Sequence, residues 1–168
     1  METLKPRVIK KYIREKHMIK LITDKEQKKV IARSILESLT EWFEVEESRE
    51  QYIAESPDRI MVAAEEDGKI VGFLNLKETG KETVELAVMG VLKEYHRSGL
   101  GRQLVEEAKK IAKEKGYEFM QVKTVEMGMY EDYDITNRFY ISCGFKEFEV
   151  IRHYWDEANP CQIYVMGL

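Results

Sequence analysis

Apolar and polar positions alternate along this chain in blocks that change period, and each block predicts an element. Met18, Ile19, Leu21 and Ile22 crowd a first strand over 17–22. Asp24 then stands as an N-cap with Gln27 three residues on, a capping-box pattern, and Val30, Ile31, Ile35 and Leu39 recur at helical spacing over 24–39. Trp42 and Phe43 fall in a break, and a weaker helix over 46–55 must stop before Pro57. Three strands follow at 60–66, 70–78 and 83–91, joined by the hairpin signal Asp67-Gly68 and by a turn at Gly80, which makes an antiparallel meander. The strongest helical pattern covers 98–115. Leu100, Leu104, Ala108, Ile111 and Ala112 share one face, and Gly116 closes the helix. A strand over 119–125 comes next, then a polar, irregular stretch over 126–134. A short helix over 135–142 is closed by Gly144. A strand over 145–152, a loop through Trp155 and Pro160, and a last strand over 161–166 complete the pattern.

A helix between the strands at 83–91 and 119–125 is a crossover, and crossovers join parallel neighbours. The predicted class is therefore α/β: a mixed, mostly antiparallel sheet with one parallel pair, flanked by helices. The chain's 168 residues suit one domain, 1–168. The first twenty residues are locally basic but lack an apolar core, so no secretory signal is read, and 1–16 is taken as an N-terminal extension. No apolar run is long enough to span a bilayer. A net charge of −4 does not point to nucleic acid. Cys143 and Cys161 form no metal-type spacing and no disulfide scaffold, so no metal is expected and a reducing cytoplasm is the simplest compartment.

Candidate chemistry concentrates at 91–102, Val-Leu-Lys-Glu-Tyr-His-Arg-Ser-Gly-Leu-Gly-Arg. A strand passes here through a loop with two glycines into a helix. The first turn of a helix carries unpaired N–H groups, and its dipole favours an anion. Gly99 and Gly101 lack a Cβ and let a phosphate approach, while Arg97 and Arg102 add positive charge. No Gly-x-x-x-x-Gly-Lys-Ser/Thr occurs at 96–103, and Leu104 replaces the third glycine of a dinucleotide fingerprint.

His96-Arg97-Ser98-Gly99-Leu100-Gly101 resembles the Gln/Arg-x-x-Gly-x-Gly/Ala pyrophosphate loop of the GNAT superfamily of acyl-CoA-dependent N-acetyltransferases, with His96 in place of Gln or Arg. Phe139-Tyr140-Ile141-Ser142-Cys143-Gly144-Phe145 is similar to that family's Phe-Tyr-x-x-x-Gly-Phe signature. Tyr133 stands where the family often has Asn. The resemblance implies that the parallel strands splay into a V that holds acetyl-CoA. The backbone of Met89, Gly90 and Val91 would then meet pantetheine, and His96, Arg97, Ser98, Gly99, Leu100, Gly101 and Arg102 the pyrophosphate. Gly90 fits a bulge or a close backbone approach, or is an ordinary strand glycine.

The implied activity is transfer of the acetyl group to a primary amine by direct attack, with a small molecule or a peptide as acceptor. Tyr140 matches the family's usual acid, which protonates the departing thiolate; the alternative is a packed tyrosine that hydrogen-bonds the sulfur. Glu85 matches a base used by some members, or is an exposed strand residue. His153 reads as a loop residue. Trp42, Phe43, Tyr130, Tyr133, Tyr154 and Trp155 are candidates for the acceptor's entrance, and Glu126, Glu131, Asp132, Asp156 and Glu157 for an acidic rim that attracts a cation. A homodimer is common in the family. A silent acyl-CoA sensor on the same fold is the other reading.

Overall fold

The computed structural model describes residues 17–168, so the basic segment 1–16 lies outside the described residues. Its elements run β1 (Met18–Ile22), α1 (Lys25–Glu37), α2 (Glu46–Glu55), β2 (Ile60–Glu66), β3 (Lys69–Glu78), β4 (Thr83–Val91), α3 (Leu100–Glu114), β5 (Phe119–Val125), α4 (Glu131–Ser142), β6 (Lys146–Asp156) and β7 (Asn159–Gly167). The strands form one seven-stranded sheet in the order β1-β2-β3-β4-β5-β7-β6. Every neighbouring pair is antiparallel except β4 with β5. This is the mixed α/β class read from the periodicity.

Local signals explain most of the boundaries. Asp24 caps α1, its carboxylate accepting the Gln27 amide at 2.7 Å. Asp67 (φ 49°) and Gly68 (φ 78°) turn β2 into β3 with the paired positive φ of a type I′ hairpin.

Three expectations are corrected. The stretch expected to be irregular to Asp134 enters α4 at Glu131, because Glu131, Asp132 and Asp134 supply the acidic first turn that a helix dipole favours. The expected loop through Trp155 and Pro160 is instead strand: β6 runs on to Asp156 and β7 begins at Asn159, a tight hairpin. Pro160 is tolerated near the start of β7, where its carbonyl accepts the Glu126 amide at 2.9 Å. The helix after the glycine loop begins at Leu100 rather than Ser98, with Gly99 at its N-cap.

Two features of β4 position the site. Its pairing with β5 stops at Leu86↔Val122, although both strands continue, so the sheet opens beyond that point. A bulge also interrupts its pairing with β3: Leu76 faces Leu86 but Asn75 faces Val88, which leaves Ala87 as the extra residue. A bulge shifts the alternation by one. Glu85 and Gly90 therefore share a face of the sheet, and Met89 takes the other.

The bulge expected around Gly90 thus lies at Ala87, and Gly90 is a site of close approach. A Cβ there would stand 2.8 Å from Leu39 Cδ1 and 2.9 Å from Ile35 Cγ2. Ile35 in α1 and Leu39, just past the end of that helix, are both buried, so a side chain must shift to admit the methyl. Gly90→Ala is expected to cost about 1–3 kcal/mol through overpacking. Urea denaturation checks this, and an unchanged midpoint would contradict it.

Candidate active site

The loop after β4 is held from both sides. Leu92 is buried, a 3-10 turn spans Lys93–Tyr95, and the Ser98 hydroxyl donates to the Tyr95 carbonyl. The His96 ring packs edge-on to Trp42 at 5.7 Å, and its Nε2 lies 2.6 Å from the Val91 carbonyl. Lys93 pairs with Glu41 and lies over the Trp42 ring. His96 is thus a fastener between the end of β4 and the α1–α2 connection. Trp42, expected at the acceptor's entrance, belongs to that fastening.

Within this frame Arg97 takes φ 58° and Gly99 φ 88°. A side chain in the left-handed region is uncommon, and the fastening on each side holds Arg97 there. The consequence is a row of free donors. Among the described residues, no backbone carbonyl accepts the N–H of Arg97, Ser98, Gly99, Leu100, Gly101 or Arg102; the first bond of α3 is Gln103 N–H to Gly99 O. The row is exposed except at Leu100 and Gly101, and the space beside Gly99 is open. It makes an anion cradle at a helix N-terminus.

Two members of the predicted set do other work. A Cβ on Gly101 would stand 3.1 Å from the Phe139 ring, so the missing side chain here makes room for α4. Arg102 donates to the Ser142 carbonyl at 2.9 Å and to its hydroxyl at 3.2 Å, directing its charge to the end of α4. Arg97 remains the exposed guanidinium of the loop.

Further back, the open edge of β4 can be read from parity. The Leu92 amide donates to Val71 on β3, so Leu92 and Gly90 turn their backbone groups toward β3, and Met89 and Val91 turn theirs toward the opening. Of the three residues expected to meet pantetheine, Met89 and Val91 present amides there, and Gly90 does not.

Tyr140 lies on α4, buried, in ring contact with Phe139, Phe145 and Tyr164. Burial first, then the neighbourhood of Cys143 and Tyr52, pushes its phenol well above the usual range, so it keeps its proton at neutral pH. Asn137 fixes this helix. Its amide donates to the Val125 carbonyl at 2.9 Å and to the Tyr133 carbonyl at 2.7 Å, and its carbonyl accepts the Tyr164 hydroxyl at 2.6 Å. Sequence reasoning missed Asn137; its signal was a polar residue on the otherwise apolar face of the helix that carries Tyr140.

Glu85 faces the α1 side and pairs with Lys123, 2.7 Å away, with both side chains about 15% exposed. Lys123 was also missed, although a lysine inside Phe-Met-Gln-Val-Lys-Thr-Val is visible in the sequence. Lys123 lies over the Tyr154 ring at 5.8 Å. The half-buried Tyr52 phenol is pushed up by burial and by the charge of Glu85. Tyr130 and Tyr133 pair at 6.1 Å and Tyr154 and Trp155 at 5.4 Å, while Phe43 packs on Tyr52. Of the expected acidic rim, Glu126 is paired with Arg152, and Asp156 binds Asn159. His153 lies in β6, exposed, and not in a loop. Among the described residues no group of three or more His, Cys, Asp or Glu is placed to hold a metal, and no helix is long and apolar enough to cross a membrane.

A mixed sheet that opens at a parallel pair, with an anion cradle at the head of the next helix, is the fold class of the acyl-CoA N-acyltransferases. The chain belongs to the Acetyltransferase (GNAT) family, whose profile matches residues 19–145. Solved structures with this fold include a GNAT-family protein of Desulfovibrio desulfuricans, 22% identical, covering 90% of this chain and 99% of that one, TM-score 0.76. An IAA acetyltransferase of Bacillus cereus is 22% identical over 91% of this chain and 100% of its own, TM-score 0.69. A GNAT-family acetyltransferase of Elizabethkingia anophelis with acetyl-CoA bound is 19% identical over 90% and 98%, TM-score 0.69. At these identities the likeness is one of fold. Among curated proteins none matches the chain.

Proposed function

We propose that this protein moves an acetyl group from acetyl-CoA to a primary amine within a ternary complex. The observation that carries the reading is the row of unpaired amides from Arg97 to Arg102, standing beside the opening between β4 and β5. A diphosphate suits that row, and the cleft-facing amides of Met89 and Val91 suit the amide groups of pantetheine. Acetyl-CoA, when bound, supplies the acetyl group as a thioester. The cleft-facing amide of Met89 or Val91, beyond the bulge at Ala87, steadies the developing oxyanion. Tyr140 holds a proton at neutral pH and gives it to the departing sulfur. Glu85, oriented by Lys123, receives the acceptor's proton, directly or through water.

Release of free thiol from acetyl-CoA in the presence of an amine panel tests the reading. Glu85→Gln should lower kcat/KM about a hundredfold, with acetyl-CoA affinity changed by no more than about twofold. A variant as active as the wild type would remove Glu85 from the mechanism. No thiol release with any amine, while acetyl-CoA binds, would overturn the activity itself.

A further inference from the structure

Glu85 and Lys123 make an unusual floor for a site that receives a cation. A lone carboxylate would suit any amine, but this one already has a partner. Glu85 sits in the last paired stretch of β4, opposite Gln121, and Lys123 lies one residue beyond the last pair on β5. Their ion pair therefore marks the vertex of the opening. Both groups are largely shielded, with exposures of 15% and 14%. Tyr154 lies under the ammonium, and the Tyr52 phenol and the buried Cys161 thiol feel charge from the pair.

Removing one member of a shielded pair leaves the other without a counter-charge, and that is costly. A simple ammonium arriving at Glu85 gives the carboxylate a second cation and gives Lys123 nothing. An acceptor that brings its own carboxylate leaves both charges matched: its nitrogen lies at Glu85 and its carboxylate at Lys123.

The same face offers a place for a side chain. An open groove of about 700 Å³ is lined by Gln121 and Ile163, the strand partners of Glu85 and Lys123, and by Val165 and the exposed rings of Phe119 and Phe148. Its walls are mainly apolar.

We propose that the acceptor is a free α-amino acid with an apolar side chain, its amine held at Glu85, its carboxylate at Lys123 and its side chain along this groove. This rests on the acetyltransferase reading above. Nitrogen attacks the thioester carbon, the carbon–sulfur bond breaks, the amine proton goes to Glu85, and the departing thiolate takes the Tyr140 proton to leave as free thiol. The products are the N-acetyl amino acid and CoA.

Three matched acceptors test it by thiol release from acetyl-CoA: L-leucine, L-leucinamide and 3-methylbutylamine. Leucine should exceed the other two in kcat/KM by about tenfold or more, because both lack the carboxylate that Lys123 needs. The amide carries more free base near neutral pH, so the comparison leans against the proposal. Lys123→Met should bring the ratio of leucine to leucinamide toward one, and Lys123→Arg should keep it. Thermal melting and acetyl-CoA binding show whether each variant is folded, and the wild-type ratio decides even if Lys123→Met is not. Leucinamide, 3-methylbutylamine or another amine without a carboxylate matching or exceeding leucine would overturn the amino-acid inference and leave the acetyltransferase standing. No thiol release with any amine, while acetyl-CoA binds, would overturn both.

Discussion

Gly99→Glu is expected to weaken CoA binding by about a hundredfold or more while the sheet remains folded. Gly99 stands at φ 88°, with nothing within 4 Å of the position a Cβ would take. A side chain there meets no neighbour, but the left-handed backbone costs about 1–2 kcal/mol for any residue with a Cβ. The carboxylate adds a charge inside a cradle that favours one anion and would have to hold two. Two unit charges 4 Å apart repel by about 4 kcal/mol at an effective dielectric of 20, and a hundredfold loss needs only about 2.8 kcal/mol. Gly99→Ala separates the terms. It carries the strain without the charge, so it should lose about the same stability and much less affinity. Calorimetry with CoA and thermal melting measure both. Equal affinities for wild type and Gly99→Glu would show that the loop does not hold the diphosphate. The matching change at Gly101 is a poorer test, because its Cβ would meet Phe139 at 3.1 Å and disturb α4.

Tyr140→Phe is the second large effect. The ring is buried against Phe139, Phe145 and Tyr164, and phenylalanine keeps that packing. Only the hydroxyl group is lost. If Tyr140 protonates the sulfur, kcat should fall about a hundredfold or more, with acetyl-CoA affinity changed by no more than about threefold. The pH profile adds a sign. Burial disfavours the phenolate and raises the group above its ordinary value, so Tyr140 stays protonated through and beyond the usual tyrosine range of about 10. A loss of wild-type activity on the alkaline side below that range would belong to another group. A Tyr140→Phe enzyme with undiminished kcat would leave the hydroxyl as a packing feature.

The elements were legible wherever one local rule governed them. Asp24 and Gln27, Asp67-Gly68 and the α3 stripe from Leu100 to Ala112 each carry a signal within a few residues, and each formed as read. What escaped depends on partners distant in sequence. Trp155 and Pro160 look like loop residues until β5 and β6 flank β7 and the hairpin is extended. The face taken by Glu85 turns on one extra residue, Ala87, which no periodicity announces because burial still alternates through it. Gly90 and Gly101 read alike as gaps for a ligand, yet the gaps are filled by Leu39 and Ile35 in one case and Phe139 in the other. The glycine loop was the most legible part of the candidate site, since free amides at a helix start require only a turn and a helix. Lys123 and Asn137 were the least legible, because their roles exist only once β4, β5, α4 and β7 are side by side.

Amide NMR of the 15N-labelled protein titrated with CoA tests the central claim most directly. The largest shifts should fall on the N–H groups from Arg97 to Arg102, with a second set at Met89 and Val91. Saturating CoA that leaves those amides unmoved, or moves chiefly the Phe119 and Phe148 face, would contradict the account.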